Sequence, residues 1–361
     1  MRILVVNAGS SSLKLRLLEG DTVLGSEDLP SPDMESGVKS LGDAIRSMRA
    51  VHAVGHRIVH GGTEFVEPIL VDEHVVQRLR ALTDLAPLHQ PKSLAALEAV
   101  SQVLPDVPAV ACFDTAFHAG MPPAATTYAL PAEWRERWPL RRFGFHGLSH
   151  AYASHRSADM VGRRPEDLRI VTCHLGAGAS LAAVHGGRSV DTTMGFTPLE
   201  GLVMATRAGN VDPGLLMWLE EHVGIEPHEL AEALEKRSGL VGLAGTPDMR
   251  EVIKRSKAGD PNAALAFGLY THRLRAGIAS MAAAMDGMDI LVFTGGVGEN
   301  SPEVREQAAA GLSFLGVAVD PAANRAGGDR DISESIASVR TLVIAAREDI
   351  EIAGQVKQVL L

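Results

Sequence analysis

Two short stretches rich in glycine and serine have the composition of phosphate-binding turns. Residues 3–18 place Gly9-Ser-Ser-Ser12 between two apolar runs, and residues 170–184 place Gly176-Ala-Gly-Ala-Ser180 in the same setting. Backbone N–H groups and hydroxyls at the tip of such a hairpin can close around phosphate oxygens. Two copies about half a chain apart therefore predict a nucleotide held between two related lobes. The alternative is a pair of ordinary hairpins whose turns need small residues.

A third glycine-rich turn occurs in residues 293–301, Phe-Thr-Gly-Gly-Val-Gly-Glu-Asn-Ser, after an apolar run and before a capped helix. Glycines at the carboxyl end of a strand leave room for a flat ligand, and open helix N–H groups favour anions. A turn that needs glycine only for its backbone would look the same. The sequence has no Gly-Lys dipeptide, no G-x-G-x-x-G and no G-x-S-x-G, so a bound nucleotide would depend on the two hairpin tips.

Single arginines and carboxylates follow several predicted strands. Arg57 and Arg207 are flanked by glycines, and the guanidinium fork suits a carboxylate or a phosphoryl group; a structural salt bridge is the alternative for each. Asp114 directly follows one predicted strand and Glu348 comes shortly after the last one. Magnesium-binding carboxylates of phosphoryl-transfer sites often lie at such positions.

Two histidines, His146 and His150, are four positions apart, a spacing that could hold zinc on a helix. Gly147 stands where a zinc protease would have glutamate, and no third ligand with suitable spacing follows. The pattern favours a histidine that donates to charge developing on a transferred phosphoryl group, with a cap or core histidine as the alternative.

Length and composition limit the class of protein. A chain of 361 residues, 46% of them hydrophobic, can form two packed domains. A net charge of −10 without a dense basic run argues against a nucleic-acid partner. Cys112 and Cys173 lie in apolar runs and are expected to be buried, reduced thiols, as in a cytoplasmic protein. No apolar stretch approaches 18 residues and no cleavable signal is evident, so no membrane contact is expected.

Strand and helix patterns alternate along the chain, which predicts an α/β protein. The expected strands beyond the hairpins are residues 50–60, 107–113, 290–294 and 339–345. The expected helices are residues 72–85, 92–104 and 260–285, others that begin at Asp212-Pro213, Thr246-Pro247 and Ser301-Pro302, and one at the C-terminus. Residues 28–37 are predicted to be a loop, and residues 119–123 an inter-domain crossing.

Taken together, these motifs resemble the acetate kinase family of the actin/Hsp70/sugar-kinase superfamily, nearly from end to end. The resemblance rests on Asn7-Ala-Gly-Ser-Ser-Ser-Leu-Lys14, Gly55-His-Arg-Ile-Val-His-Gly-Gly62, Leu85-Ala-Pro-Leu-His89, Phe113-Asp-Thr-Ala-Phe-His118, Arg142-Phe-Gly-Phe-His-Gly-Leu-Ser-His150, Cys173-His-Leu-Gly176, Met194-Gly-Phe-Thr-Pro-Leu-Glu-Gly201, Thr206-Arg207 and Gly296-Val-Gly-Glu-Asn300.

The resemblance implies a two-lobed actin-like ATPase fold, a duplicated βββαβαβα with ribonuclease-H-like lobes and a nucleotide cleft between them. The implied domains are residues 1–117 with the C-terminal helix 350–361, and residues 118–349. It also implies transfer of the γ-phosphoryl group of ATP to acetate, giving acetyl phosphate and ADP, with Mg²⁺ or Mn²⁺, in a cytoplasmic homodimer.

The same resemblance assigns roles to individual residues. The catalytic residues are Asn7, Arg57, Asp114, His146 and Arg207. Acetate would contact Arg57 and an apolar pocket formed by Val59, Leu88, Phe145 and Pro198. Nucleotide and phosphate would contact Ser10, Ser12, Lys14, His174, Gly176, Gly178, Asp248, Arg250, Gly296, Val297 and Asn300. Mg²⁺ would be held by Asn7 and Glu348, with Asp114 holding or orienting it.

Several positions depart from the family pattern. Ala177 and Ala179 replace the usual Asn and Ser, which removes two side-chain donors from the second phosphate loop. Asn210 replaces a usual Asp. The residues before Glu348 and Asp349 also differ, so either carboxylate could be the metal-linked one. A propionate or other short-chain carboxylate kinase, and an actin- or Hsp70-like ATP-driven switch without a carboxylic acid acceptor, are the alternative functions.

Overall fold

The chain divides into two compact units in a computed structural model that describes residues 1–9, 12–30, 35–48, 50–86 and 90–361. The first unit comprises residues 1–119, 145–152 and 347–361, and the second comprises residues 120–144 and 153–346. Both units consist of a mixed β-sheet and helices, as the alternating pattern predicts.

The elements of the chain follow one another in this order. Up to residue 161 they are β1 (Arg2–Ala8), β2 (Ser12–Glu19), β3 (Thr22–Pro30), α1 (Glu35–Ser47), β4 (Ala53–Ile58), β5 (Ile69–Leu70), α2 (Glu73–Ala81), α3 (Gln90–Val103), β6 (Ala109–Phe113), α4 (Pro123–Thr126), α5 (Ala132–Arg137) and α6 (Gly147–Val161). Beyond it they are β7 (Arg169–Leu175), β8 (Ala179–His185), β9 (Arg188–Thr192), α7 (Pro213–Trp218), α8 (Pro227–Lys236), α9 (Gly239–Ala244), α10 (Met249–Lys257), α11 (Pro261–Ala283), β10 (Ile290–Thr294), α12 (Gly295–Asn300), α13 (Pro302–Ala309), α14 (Pro321–Arg325), β11 (Arg330–Asp331), β12 (Arg340–Val343) and α15 (Glu348–Leu360).

The two sheets have the same topology, which confirms the duplication expected from the hairpins. The first has the strand order β3-β2-β1-β4-β6-β5, and the second has the order β9-β8-β7-β10-β12-β11 when read in the same direction. In each, the first strand pairs antiparallel with the second and parallel with the fourth, and an antiparallel strand closes the far edge. The Gly9 and Gly176 turns therefore occupy equivalent positions.

Alternation along β1 accounts for the two-sided core of the first unit. Leu4 and Val6 belong to a cluster that includes residues of α1 and α3, whereas Ile3 and Val5 belong to a cluster that includes residues of α15. Successive side chains of a strand point to opposite faces. Helices therefore cover both faces of this sheet, as parallel strands require.

Tight contacts made by small residues support the second unit. A Cβ at Gly277 of α11 would lie 2.7 Å from Leu181 of β8, so glycine allows this long helix to approach the sheet.

Cys173 is fully buried in β7, and Cys112 is fully buried in β6 of the first unit. The burial of both free cysteines confirms that part of the expectation, and burial also raises the pKa of each thiol.

Three local expectations were wrong. Residues 28–37 are not simply a loop, because β3 pairs with β2 as far as Pro30 and α1 begins at Glu35. Thr246 does not cap a helix; Asp248 accepts the N–H of Arg250 at the start of α10. The glycine-rich turn at residues 295–300 is itself helical as α12, and Ser301 caps the next helix, as predicted.

Candidate active site

In the first unit, three polar side chains lie near the carboxyl ends of neighbouring parallel strands. Asn7 is near the end of β1, Arg57 is near the end of β4, and Asp114 directly follows β6. Val6 pairs with His56 in the parallel register, which brings Asn7 beside Arg57. Ligand sites of α/β sheets usually form at this edge, because the carboxyl ends of parallel strands meet there.

Arg57 is held on two sides by this cluster. Its Nε lies 3.0 Å and 3.2 Å from the two carboxylate oxygens of Asp114, and its Nη2 donates to Asp114 Oδ2 at 2.6 Å. Its Nη1 donates to Asn7 Oδ1 at 3.0 Å. A guanidinium has five N–H donors, so one N–H on each terminal nitrogen has no partner among the residues that the structure describes.

Glu348 completes the cluster from the start of α15. Its Oε2 accepts from Asn7 Nδ2 at 2.7 Å and lies 3.9 Å from Arg57 Nε. Asp349 instead forms a two-pronged ion pair with Arg347, at 2.8 Å and 3.0 Å. The geometry therefore joins Glu348, and not its neighbour, to the other predicted site residues.

The cluster is largely withdrawn from water. The Asp114 side chain is 1% exposed, and those of Arg57 and Glu348 are 15% and 14% exposed. Burial works against the charge on Arg57, but the carboxylates of Asp114 and Glu348 outweigh it and raise the pKa of Arg57. Burial raises the pKa of Asp114, and the Glu348 carboxylate adds to this shift while Arg57 opposes it. With both carboxylates ionised, the two carboxylates and the one guanidinium sum to one net negative charge.

His146 is positioned by its backbone. It has a positive φ of 56°, which is uncommon outside glycine. Its N–H donates to the Asp114 carboxylate, and the next N–H, that of Gly147, donates to the Asp114 carbonyl at 2.9 Å. A Cβ at Gly147 would overlap that carbonyl and contact Phe117, so glycine is required here by close packing. His150 lies in the first turns of α6 and is fully buried.

Two of the four apolar residues predicted to contact acetate, Val59 and Phe145, lie in the first unit. Phe145 is 1% exposed and meets the ring of His60 edge-on at 5.5 Å. Val59 follows β4 directly and is buried. Leu88 and Ser10 lie outside the described residues. Lys14 pairs directly with Asn7 across the β1–β2 hairpin, and its side chain is exposed.

In the second unit, Arg207 and Pro198 are joined by a hydrogen bond. Arg207 Nη1 donates to the Pro198 carbonyl at 3.2 Å and lies 3.8 Å from the sulfur of Met204. Burial lowers the pKa of Arg207 from its ordinary value, although a guanidinium stays charged at neutral pH. Asn210, at the position of the usual Asp, accepts the N–H of Gly201 at 2.7 Å.

The second hairpin has a tight tip. Gly176 N–H donates to the Gly178 carbonyl at 2.9 Å, and the flanking residues of β7 and β8 pair in register. Ala177 at the tip is exposed, whereas Ala179 is fully buried in β8. His174 precedes the tip in β7 and is half-buried. The substitution at position 177 therefore changes what the tip presents, and the one at position 179 changes the strand behind it.

The predicted adenosine-bordering residues lie on α12. Gly295 starts the helix with a φ of +79°, and a Cβ at Gly296 would meet no atom within 4 Å. Asn300 donates from its amide to the Gly296 carbonyl at 2.9 Å. Asp248 and Arg250 form an exposed ion pair of 2.7 Å at the start of α10.

Comparison with known proteins identifies the family. The chain matches the model of the acetokinase family over residues 25–354. It is 43% identical to a protein named acetate kinase from Microcystis aeruginosa, over 98% of both chains. This chain belongs to the acetokinase family. Its fold matches a crystal structure of Porphyromonas gingivalis acetate kinase with a TM-score of 0.92 and 35% identity over 100% of both chains. A propionate kinase from Francisella tularensis matches with a TM-score of 0.91 and 33% identity, over 99% of this chain and 100% of that one.

The second unit also contains a polar network that the sequence motifs do not indicate. Tyr128, Arg142 and Glu200 are joined by short hydrogen bonds beside the segment that carries Pro198. Arg142 begins one motif of the resemblance and Glu200 lies near the end of another, yet neither sequence position indicates the other as its partner. Among the described residues, no three His, Cys, Asp or Glu side chains form a metal cluster. Within the same residues, no helix combines the length and apolar character needed to cross a bilayer.

Proposed function

We propose that this acetokinase family member transfers the γ-phosphoryl group of ATP reversibly to acetate, giving acetyl phosphate and ADP. The observation that supports this most directly is the buried Arg57, set among Asn7, Asp114 and Glu348. Within the described part of the chain, two of its N–H groups have no partner. Such a group suits a planar carboxylate or a phosphoryl oxygen pair, because the guanidinium fork offers parallel donors.

The reaction asks for positioning and charge neutralisation, with little covalent chemistry from the protein. One acetate oxygen forms a bond to the γ-phosphorus while the bond from that phosphorus to the bridging oxygen breaks, and ADP leaves with the electron pair. A carboxylate with an ordinary pKa is ionised at neutral pH, so no general base is needed. In this proposal Arg57 and Arg207 neutralise the reacting groups, and His146 stabilises the equatorial oxygens.

A divalent cation fits the hard oxygen donors of the first unit. Glu348 and Asn7 would hold Mg²⁺, with Asp114 orienting the neighbouring Arg57. Mg²⁺ usually binds one or two carboxylates and otherwise takes water and phosphate oxygens, so a cluster of three protein ligands is not needed. When bound, the ion would neutralise charge on the phosphate groups. The net negative charge of the cluster favours a cation there.

The acceptor is proposed to be acetate, with propionate as the runner-up. The structurally similar Francisella tularensis protein is named a propionate kinase, and one methylene in an apolar pocket discriminates only about 10- to 200-fold. Trapping of acyl phosphate with hydroxylamine, from MgATP and acetate, propionate or butyrate in parallel, tests this. Highest kcat/KM with acetate supports the proposal, and a preference for propionate replaces the acceptor. ATP binding without product from any acid would instead favour an ATP-driven switch.

A homodimer is proposed from an exposed apolar surface on the second unit. In and just after α7, Leu215, Met217, Trp218 and Val223 are 47%, 61%, 51% and 54% exposed. Large exposed apolar patches mark association surfaces more often than isolated residues do. Light scattering after gel filtration should give twice the chain mass, and Trp218→Asp should halve it. The control Phe314→Asp changes an apolar residue that is 74% exposed elsewhere in the unit and should leave the mass unchanged. A wild-type monomer at micromolar concentration would contradict the proposal.

The proposed location is the cytoplasm. Both cysteines are free and buried, which suits a compartment that keeps thiols reduced. Fractionation of the producing cell would test this, and recovery with a membrane or extracellular fraction would contradict it.

A further inference from the structure

The residues of the second unit that are proposed to meet the carboxylate lie on an irregular segment. We define the 193–200 loop as the residues that follow β9 and include Pro198. The Pro198 carbonyl accepts from Arg207 at 3.2 Å, so the loop also fixes one side of that guanidinium. An irregular segment has no sheet ladder of its own, and its position depends on the side chains that hold it.

Arg142 holds the beginning of this loop. Its Nη1 donates to the carbonyls of Thr193 and Met194 at 3.1 Å and 3.0 Å. The residues after it, Phe143 and Gly144, donate their backbone N–H groups to the Gly195 carbonyl at 3.0 Å and 3.3 Å. The planar guanidinium can bridge two carbonyls and a carboxylate together, which a lysine ammonium cannot match.

Glu200 and Tyr128 connect the end of the loop to its beginning. Glu200 accepts from Arg142 Nη2 and from the Tyr128 hydroxyl, each at 2.6 Å. The same hydroxyl accepts the backbone N–H of Phe196 at 2.9 Å. Burial, followed by the bond to Glu200, raises the pKa of Tyr128 to about 12, so the hydroxyl remains a donor at neutral pH. A Cβ at Gly195 would overlap both the Glu200 carboxylate and the Tyr128 hydroxyl, which shows how closely the loop packs on the network.

We propose that Tyr128, Arg142 and Glu200 are positioning residues that set Pro198 and Arg207 for the carboxylate acceptor; this rests on the acceptor site proposed above. The three side chains clamp the loop on both sides of Pro198. None of them shares a hydrogen bond with Gly296, Val297 or Asn300 among the residues that the structure describes. The network should therefore act on the acceptor and leave nucleotide binding largely unchanged.

The test is Tyr128→Phe, which removes one hydroxyl and keeps the ring. Loss of the bonds to Glu200 and Phe196 should free the loop, and a misplacement of about 1 Å can reduce turnover about 100-fold. We expect kcat/KM for acetate to fall about 10- to 100-fold, mostly through KM for acetate, with KM for ATP within about twofold and thermal unfolding nearly unchanged.

The chain offers a matched control for that deletion. Tyr270 on α11 is 3% exposed, and its hydroxyl has no hydrogen-bond partner within the described part of the chain. Tyr270→Phe removes the same atom from the same unit and should leave all kinetic constants unchanged. Arg142→Lys is the second variant; it keeps the charge but cannot bridge the loop, and should reproduce the acetate defect.

Coupling between the network residues gives an independent readout. Tyr128→Phe and Glu200→Gln break the same connection, so the double variant should lose much less than the product of the two single losses. Multiplicative losses, or equal rises in the KM values of acetate and ATP with lowered thermal stability, would overturn the positioning role in favour of general packing.

Arg207→Ala separates this proposal from the function on which it rests. If wild type makes acyl phosphate and Arg207→Ala does not, but Tyr128→Phe and Arg142→Lys behave like wild type, the positioning role alone is overturned. A wild-type chain that phosphorylates no carboxylic acid would overturn the proposed function, and this role with it.

Discussion

Replacing Glu348 with glutamine tests which carboxylate at the start of α15 serves the reaction. Glu348 contacts Asn7 and lies near Arg57, whereas the adjacent Asp349 is engaged by Arg347. Glu348→Gln keeps the size of the side chain and a carbonyl oxygen that can still accept from Asn7. Asp349→Asn is the matched control, because it removes the same charge one position away.

The magnitude follows from the charges of the cluster. Two unit charges at the 3.9 Å that separates Glu348 from Arg57 interact by about 4 kcal/mol at an effective dielectric constant of about 20. Repulsion between Glu348 and Asp114 offsets part of that attraction in the free protein, so the folded state should lose little stability. Binding of the proposed Mg²⁺ should weaken more than folding does, because neutralising Glu348 removes the net negative charge that favours a cation. We expect kcat to fall about 100-fold or more, since preorganised charges of this kind contribute about 10²–10³ each.

The assay is acetyl phosphate formation as a function of Mg²⁺ concentration at saturating ATP and acetate, with thermal unfolding measured in parallel. Glu348→Gln should require several-fold more Mg²⁺ for half-maximal rate. Asp349→Asn should match wild type within about twofold, because Asp349 pairs with Arg347 and not with Asn7 or Arg57. The opposite pattern, an impaired Asp349→Asn and a normal Glu348→Gln, would refute the assignment of the metal-linked carboxylate.

Two further predictions concern stability and packing. Burial lowers the pKa of His56 to about 3 and that of His118 to about 4, so folding favours the neutral form of both. Their contribution to the free energy of unfolding is fully present above pH ~6.5 and is lost as the pH falls towards those values. Urea unfolding at pH 7 and pH 5 should differ by about 2 kcal/mol for each histidine, and a stability that is flat between these pH values would contradict their neutral burial. Gly147→Ala should lower kcat and reduce the free energy of unfolding by about 1–3 kcal/mol, because its Cβ would overlap the Asp114 carbonyl. Gly296 has open space around it, so Gly296→Ala is the control expected to unfold like wild type. Equal losses of stability in the two variants would refute the packing argument.

The duplicated sheet could be predicted from the sequence because it depends on local signals. Apolar runs separated by Gly9 and by Gly176 predict hairpins, and the structure has them at equivalent positions of two sheets with one strand order. Element ends were less predictable. The polar composition of residues 28–37 favours a loop, yet pairing with β2 extends β3 to Pro30. Contacts with a neighbouring strand can stabilise a strand whose own residues have low β-propensity.

The sequence indicates which residues of the candidate site lie near one sheet edge, but not which side chains form hydrogen bonds with each other. Polar residues at the carboxyl ends of parallel strands lie at one edge of the sheet, which accounts for the grouping of Arg57 and Asp114; Asn7 was indicated only by the family resemblance. The Tyr128–Glu200 bond joins residues 72 positions apart, and no local pattern specifies a contact of that kind. The glycine and serine content of the two hairpin tips likewise indicates where phosphate groups could lie, but not which side chains hold the neighbouring loop.

The choice between Glu348 and Asp349 shows how one helix boundary decides what composition leaves open. Both residues are acidic and adjacent, so the sequence alone does not distinguish which of them would bind a cation. Because α15 begins at Glu348, the two side chains leave the helix about 100° apart, and only one can face Asn7. Arg347, the residue before the helix, takes the other carboxylate as its ion-pair partner. In the proposed assignment, the start of the helix and the basic neighbour that pairs with Asp349 together decide which carboxylate joins the cluster.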